Sequence, residues 1–591
     1  MESKSHPSRK LRVVSILSFA LAVGFTLPGH AATSGPEGVP GLQSDIMGPS
    51  FERGSTTAGR FLAARHAEVV GDLVAAADMT SEIIGLVPET GTTRRRAHLL
   101  MVSAGRFSKA AELAKEVLET NPADPIATYT LHLIAMREGR FTDAAALLTG
   151  VTTSGVNGVL FPLLKAWALA GQGQTDDALL ELQTLASEAS LAPIAELHQA
   201  YIADLGGELT RAEASFRLAL ERSNGRPSLQ LVDSFARFLM RQDKSEEARA
   251  LVLTFAEQNP DTLLIEPAQR VVDGADDPDR IIADVKQGAA EVFRNVSGLL
   301  NRERLRTEAL VFVRMSLGLE PDNPTALFSL GQLLELRLRD DLAIDVYRKI
   351  GDDTPYSWYA RLSIADALHS QKKSKEAIAI LRGMVGERAD RSDAMRILAD
   401  MLSNEKRFDE AIEAYDLAYE RLRGNADWRL FYTRGIALEQ AKRWDRAEKD
   451  FLTALDLEPG QPLVLNYLGY SWVEQGVNLD RAKTMIAAAV AKRPEDGYIT
   501  DSLGWVLYRL GEYSAAVDLL ERAVALEPGD PVINDHLGDA YWIVGRRNEA
   551  QFQWIRTLSL DPPADVKART RLKLEGKKEP SPLPPGKNRD I

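Results

Sequence analysis

The chain has 591 residues, a net charge of −13 and no cysteine. That length exceeds one ordinary hydrophobic core and points to several domains or one extended repeat array. The acidic balance argues against a broad nucleic-acid surface. The missing thiols exclude disulfide scaffolds, cysteine-based zinc sites, iron–sulfur clusters, thiol catalysis and acylation of an N-terminal cysteine.

The chain opens with Lys4, Arg9, Lys10 and Arg12, followed by an uncharged stretch from Val13 to Leu27 and then Pro28, Gly29, His30 and Ala31. A basic region, a short apolar region and small residues at the −3 and −1 positions are the order of a secretory signal. The apolar stretch is shorter than the roughly 20 residues a membrane span needs. Residues 1–31 are therefore read as a signal peptide cleaved after Ala31, with no transmembrane helix in the mature chain. The expected location is the periplasm or outer-membrane periphery of a bacterium, without lipidation. Residues 32–56 are rich in Gly, Pro and Ser and read as a flexible leader.

From position 57 onward an alanine recurs at Ala76, Ala110, Ala144, Ala178, Ala212, Ala248, Ala309, Ala343, Ala377, Ala411, Ala447, Ala482, Ala516 and Ala550, in steps of mostly about 34 residues. Twelve positions earlier most units carry a second small residue, such as Ala166, Gly331, Gly435, Gly504 and Gly538; Gly469 is the same position displaced by one insertion. Antiparallel helices approach closely only where small side chains leave room, so the two small positions are expected to meet at a helix crossing. Pro321, Pro459, Pro494 and Pro528 fall near unit ends, where proline stops a helix. This helix–turn–helix period resembles the tetratricopeptide repeat, most clearly in DSLGWVLYRLGEYSAAVDLLERAVALEP at 501–528. The resemblance implies an all-α, right-handed superhelical solenoid of about fourteen units, with Gly435, Ala447, Gly469, Ala482, Gly504, Ala516, Gly538 and Ala550 as structural positions.

One step, from Ala248 to Ala309, is nearly twice as long as the others. It divides the array into six units over 57–260, an irregular helical insert at 261–289 and eight units over 290–562. Within the insert a helix is expected at 263–272, a loop at Asp273–Asp279 and a further helical stretch from Arg280. Asp276, Asp277 and Asp279 lack the spacing of a calcium loop and read as a solvated turn. Residues 563–591 form a Pro- and Lys-rich tail expected to be mostly disordered.

Catalytic motifs are not found. Ser370 and Lys373 match the S-x-x-K pattern but fall on a polar turn between repeat helices. His98 and His132, one repeat apart, occupy the small-residue position of successive units and read as packing or hydrogen-bonding groups. No cofactor, metal or enzymatic activity is expected.

The family geometry lines the inner, concave face with the first helix of each unit. Positions three before the small residue, one after it and four after it then face inward. In the C-terminal units these include Tyr432, Asn466, Tyr470, Asp501, Trp505, Tyr508, Asp535, Asp539 and Trp542. Rings bury area and carboxylates orient a ligand, so an aromatic, acidic groove for a neutral or basic extended peptide is expected. The variant that clamps a peptide's terminal carboxylate uses cations where this chain has Asp501, Asp535 and Asp539. Trp472 and Leu438 occupy packing positions.

FLAARHAEVVGDLVAAAD at 61–78, GAAEVFRNVSGLLNRERLRTEALVFVRMSLGLEPDN at 288–323, YSWYARLSIADAL at 356–368 and LNYLGYSWVEQGVNLDRAKTMI at 465–486 carry a closer resemblance. They look like an exported tetratricopeptide family of Gram-negative bacteria. That family includes the lipoprotein adaptor of a periplasmic carboxyl-terminal processing protease, which delivers cell-wall hydrolases for degradation. The resemblance implies a non-enzymatic envelope scaffold or adaptor whose partners are that protease, cell-wall hydrolases or other extended peptides. This chain departs from the lipoprotein in having no cysteine to acylate. The alternative is an assembly scaffold for exopolysaccharide, pilus or outer-membrane machinery. Self-association into a homo-oligomer is open, because repeat arrays often pair through their terminal units.

Overall fold

The computed structural model describes residues 56–84, 91–149, 155–260, 262–422, 424–577 and 580. The signal region, nearly all of the leader and residues 581–591 lie outside these. All regular elements among the described residues are helical. Six pairs come first: α1 (Thr57–Val69) with α2 (Leu73–Ile83), α3 (Gly91–Ser103) with α4 (Phe107–Thr120), α5 (Pro125–Arg137) with α6 (Phe141–Leu147), α7 (Asn157–Gly171) with the split α8 (Thr175–Glu181) and α9 (Gln183–Ser187), α10 (Ala192–Leu205) with α11 (Leu209–Arg222), and α12 (Leu229–Arg241) with α13 (Ser245–Gln258). A short 3₁₀ turn, Leu263–Ile265, leads into α14 (Glu266–Val272).

Eight further pairs follow: α15 (Val285–Arg302) with α16 (Arg306–Leu319), α17 (Pro324–Glu335) with α18 (Asp340–Tyr347), α19 (Tyr356–Ser370) with α20 (Ser374–Glu387), α21 (Asp393–Asn404) with α22 (Phe408–Leu422), α23 (Trp428–Gln440) with α24 (Trp444–Leu457), α25 (Pro462–Gln475) with α26 (Leu479–Lys492), α27 (Gly497–Arg509) with α28 (Tyr513–Leu526), and α29 (Pro531–Ile543) with α30 (Arg547–Ser559). The last helix is α31 (Ala564–Leu574).

Local chemistry sets these limits. Asp124, Asn323 and Asp530 each cap a first helix by accepting a backbone N–H one turn on, and proline follows directly at the first helical position. Between the helices of most pairs the chain turns through one left-handed residue, and between α25 and α26 through two, Gly476 and Asn478. The single residue is glycine at Gly71, Gly105, Gly139, Gly173 and Gly207, but Arg304, Leu338, Lys372, Lys406 and Lys442 in later units. The Ser370–Lys373 motif is that turn between α19 and α20.

The repeating alanines of the second helices are fully buried. The small position of the first helix meets that alanine at its backbone: a Cβ on Gly504 would lie 3.4 Å from the Ala516 carbonyl oxygen, and the Ser297 hydroxyl donates to the Ala309 carbonyl at 2.8 Å. It accommodates the large residue four positions later. A Cβ on Gly331 would lie 2.2 Å from the Tyr347 ring, one on Gly435 2.7 Å from Phe451, and one on Gly538 2.4 Å from Trp554. At Gly469 and Gly504 the same space is filled by Ile486 and Leu520, so a large side chain buried against glycine carries the crossing.

The insert reverses the chain, and the second array packs onto the first. α15 rests on α7 and α5, and α16 on α3 and α5. These are three of the six first helices of the N-terminal array, and this pair covers them. Gly288 lies against Trp167, where a Cβ would approach the indole to 2.4 Å, and Gly318 lies against Phe107 and Leu133. Lys286 Nζ donates to the Arg137 carbonyl at 2.9 Å, and the Leu263 N–H donates to the Tyr359 hydroxyl at 3.0 Å. Arg388 pairs with Glu266 at 2.9 Å. One continuous core runs from Ala67 to Val506 across the seam.

Two expectations are corrected here. The helical stretch expected from Arg280 begins at Val285, because Asp284 caps it through the Lys286 and Gln287 N–H groups. The tail expected to be mostly disordered starts with α31. Its buried Val566, Thr570 and Lys573 pack it against α29 and α30 in the place of another first helix.

Candidate functional site

The nine residues singled out by register fall into three groups by burial and partners. Tyr432 and Tyr508 are buried, at 7% and 3% exposure. Tyr432 packs edge-on to Tyr467 and tilted against Phe451, so it is an inter-unit packing residue. Trp472 and Leu438 are fully buried.

Tyr470, Trp505 and Trp542 are half-buried. Trp505 stacks on Tyr508 on one side, with centroids 4.8 Å apart, and on His536 on the other at 4.1 Å. Its indole N–H donates to Glu474 at 2.8 Å, which fixes the ring plane. Trp542 lies 5.3 Å from Trp554 and carries the Arg547 guanidinium on its face at 3.8 Å. Burial pushes the Tyr470 hydroxyl pKa up, with Glu474 and Asp501 adding to it and Arg569 and Arg509 opposing it. Asn466 is half-buried, and its Oδ1 has no hydrogen-bond partner.

The carboxylates form the third group and correct the expectation of an open acidic groove. Asp535 is fully buried. It accepts hydrogen bonds from Arg569 at 2.9 Å, Thr570 at 2.8 Å and Lys573 at 2.9 Å. Asp539 pairs with Lys573 at 2.6 Å and accepts from the Trp554 indole at 3.1 Å. Asp501 holds the His536 imidazole at 3.0 Å. Burial opposes the charged imidazole, but the Asp501 charge and hydrogen bond outweigh it, and the His536 pKa is raised. Desolvation makes a free buried carboxylate costly, so each is neutralised by a partner from the next first helix.

His536, Arg569 and Lys573 were missed by register reading, although the signal was present. Asp501, Asp535 and Arg569 stand at successive steps of one repeat, as do Trp505, Asp539 and Lys573. α31 therefore continues the inward stripe with its sign reversed.

Unshielded acidity lies further back in the array. Burial raises the Glu335 pKa to about 7 and that of Asp400, which accepts the Tyr415 hydroxyl, to about 6. Burial also raises that of Asp366. In the N-terminal array burial acts on histidines. His98 bonds Thr130 at 2.9 Å, His132 donates to the Ala144 carbonyl at 3.0 Å, and His198 accepts from the Trp167 indole at 2.9 Å. Burial lowers their pKa values to about 4, 4 and 3.

The two arrays should respond oppositely to acid. The histidine contributions are present above the unfolded value near 6.5 and are lost as pH falls toward 4. Those of Glu335 and Asp400 are present below the unfolded carboxylate range. They are lost as pH rises through about 7 and 6. On moving from pH 7 to pH 5, hydrogen exchange corrected for intrinsic rates should show α5 and α10 losing about 2 kcal/mol of protection per histidine. The first helices α17 and α21 should gain. A uniform change in both arrays would contradict this assignment.

A family model for the tetratricopeptide repeat matches residues 99–153, 163–227 and 478–531. These matches cover less than a third of the chain. The TPR repeat-containing protein PA4667 of Pseudomonas aeruginosa is 28% identical over 190 residues, which is 32% of this chain and 32% of that protein. The match thus spans about a third of that relative's length. Among solved structures, the Cut9–Hcn1 hetero-tetramer of the APC/C covers 85% of this chain and 98% of its own at 17% identity, with a TM-score of 0.37. Yeast Tom70 covers 88% of this chain and 95% of its own at 15% identity and a TM-score of 0.32. YrrB, described as a TPR protein with an unusual peptide-binding site, covers 30% of this chain and 90% of its own at 21% identity and a TM-score of 0.24. No helix among the described residues is long and apolar enough to cross a membrane.

Proposed function

We propose that this chain is a non-enzymatic protein-interaction scaffold of the bacterial cell envelope. It holds an extended polypeptide on the inner face of its C-terminal array and presents it to a periplasmic protease. The observation that carries the binding part is the half-buried Trp505, held between the buried rings of Tyr508 and His536, with half-buried Tyr470 and Trp542 in the neighbouring units. Rigid, partly desolvated rings supply contact area at little entropic cost. Over α3, α5 and α7 the N-terminal array does not offer the same face, because α15 and α16 cover it. The envelope location and the protease role rest on the basic, apolar and small-residue start of the chain and on the four stretches that resemble the adaptor family.

The test is a cross-linked pull-down of the tagged chain from its own cell envelope, read by mass spectrometry and repeated with Trp505→Ala and Tyr470→Ala. A processing protease enriched together with cell-wall hydrolases is the expected result. The double variant should weaken substrate capture at least tenfold, a loss of about 1.4 kcal/mol or more. Asp539 is not a suitable partner for this variant, because its carboxylate is buried against Lys573. Recovery of secretion or polymer-export components without a protease would replace the adaptor by an assembly scaffold. Unchanged capture by the double variant would remove this groove.

A further inference from the structure

Two pairs of the C-terminal array carry a tyrosine four residues after the repeating alanine, and the two differ in how the hydroxyl is satisfied. Tyr415, four after Ala411, is buried, and its hydroxyl donates to Asp400, one place after the small residue Ala399 of its own pair. Tyr347, four after Ala343, is 1% exposed, and its ring lies on Gly331. One place after Gly331 stands Gln332, so the carboxylate that serves Tyr415 has no counterpart there. The Tyr347 hydroxyl faces Ser363 on α19 and Glu335 on α17 and closes a hydrogen bond to neither. A buried hydroxyl without a partner is costly unless another group comes to satisfy it.

The groups around this hydroxyl are acidic. Glu335 and Asp366 are half-buried and stand four places after Gly331 and one after Ala365, positions that the register turns inward. Burial raises the pKa of both, that of Glu335 to about 7; Asp366 and Asp340 add to the shift at Glu335, and the facing Tyr347 hydroxyl opposes it only in part. Asp366 Oδ1 is buried without a hydrogen-bond partner, and His369 on its own helix is the group that offsets its charge. Neighbouring arginines are engaged elsewhere: Arg339 pairs with Asp341 at 2.7 Å and Asp72 at 3.4 Å, and Arg337 donates to Thr307 at 2.8 Å. No lysine or arginine among the described residues acts on either carboxylate.

We propose that Glu335, Asp366 and Tyr347 form a receptor for the guanidinium of an arginine side chain carried by an extended polypeptide, at a site separate from the rings around Trp505. Among the described residues no three acidic or histidine side chains are placed to hold a metal ion. A guanidinium instead offers five N–H donors fanned out in a plane and serves two carboxylates and a hydroxyl oxygen together. Its charge keeps Glu335 ionised, so that the Tyr347 hydroxyl donates to the carboxylate and accepts an N–H in turn. Both carboxylates lie on first helices, and Asp400 continues the inward row in the next pair, which suits a chain laid along the array.

The experiment is saturation-transfer NMR on the full chain with two probes, the peptide acetyl-Ala-Ser-Ala-Arg-Ala-Ser-Ala-amide and its twin with citrulline, which keeps the shape of arginine without the charge. The unaltered chain should bind the arginine peptide at least about tenfold more tightly than the twin. Glu335→Gln with Asp366→Asn should remove that preference. Each change deletes a buried charge and keeps the side-chain shape, so circular dichroism should show the fold retained. Asp352→Asn with Glu376→Gln, at two exposed acids, changes the net charge equally and should keep the preference. Trp505→Ala should keep it too, so failure of this site and failure of the ring site are told apart. No preference in the unaltered chain overturns the inference. So does a preference that survives Glu335→Gln with Asp366→Asn, or one that is lost in the exposed control or in Trp505→Ala. Agmatine, a free guanidine, should bind more weakly than the peptide; equal affinity would make this a small-molecule site and overturn the polypeptide occupant.

Discussion

Trp167→Ala should lower the stability of the whole repeat body by about 4 kcal/mol, and a single unfolding transition should move, not one of two. Trp167 is fully buried on α7, and α15 of the second array lies against its face at Gly288. Removing the indole opens a cavity that rigid helices on either side cannot close. It also strips His198 of the N–H donor at 2.9 Å in a site where burial keeps that imidazole neutral. Gly288→Val attacks the same seam from the other side. A Cβ there would meet three ring atoms at 2.4 Å, so α15 must shift, at a cost of about 3 kcal/mol. Leu180→Ala, at a side chain 60% exposed in the same unit, is the control and should cost little. Urea unfolding followed by circular dichroism checks all three. If Trp167→Ala moves an early transition and leaves a later one in place, the arrays fold separately and the seam is only a contact.

Lys573→Met should cost about 3 kcal/mol, although it lies on the last helix and near the end of the described residues. The ammonium sits between Asp535 at 2.9 Å and Asp539 at 2.6 Å. Asp535 keeps Arg569 and Thr570 after the change, whereas Asp539 keeps only the Trp554 indole. Burial already raises the Asp539 pKa to about 6, and without the lysine its charge is held at greater expense. Adding Asp539→Asn should recover most of the loss, because a neutral amide needs no counter-charge. Recovery separates a charge effect from simple loss of packing by the lysine stem, which the amide cannot restore. Denaturant midpoints of the single and double variants decide between them.

The fourteen helix pairs were legible because the pattern that makes them is short-range. One alanine per repeat, a small residue twelve places before it and a large one four after it describe contacts within a single hairpin. Each hairpin repeats the same crossing, as at Gly435 with Phe451 and Gly538 with Trp554. The ring stack at Trp505 was partly legible for the same reason, since register alone placed it inward. The buried state of Asp535 was not. Its register position reads as inward and acidic in either case, and only the arrival of Arg569 and Lys573 on α31 turns an open carboxylate into an ion pair. That arrival could be counted from the repeat step, but a Lys- and Pro-rich tail has the composition of a disordered end.

Composition and periodicity by themselves determined an all-helical repeat array, its break after the sixth pair and the side of each helix that packs. Those follow from local hydrophobic spacing, which any stack of such hairpins must satisfy. Which inner face stays open was decided only in three dimensions. Gly288 and Trp167 stand several repeats apart in the chain, and nothing in either neighbourhood specifies the other. Their contact depends on the turn through 273–284 bringing α15 back onto α7, a long-range closure whose stability comes from the summed burial across the seam.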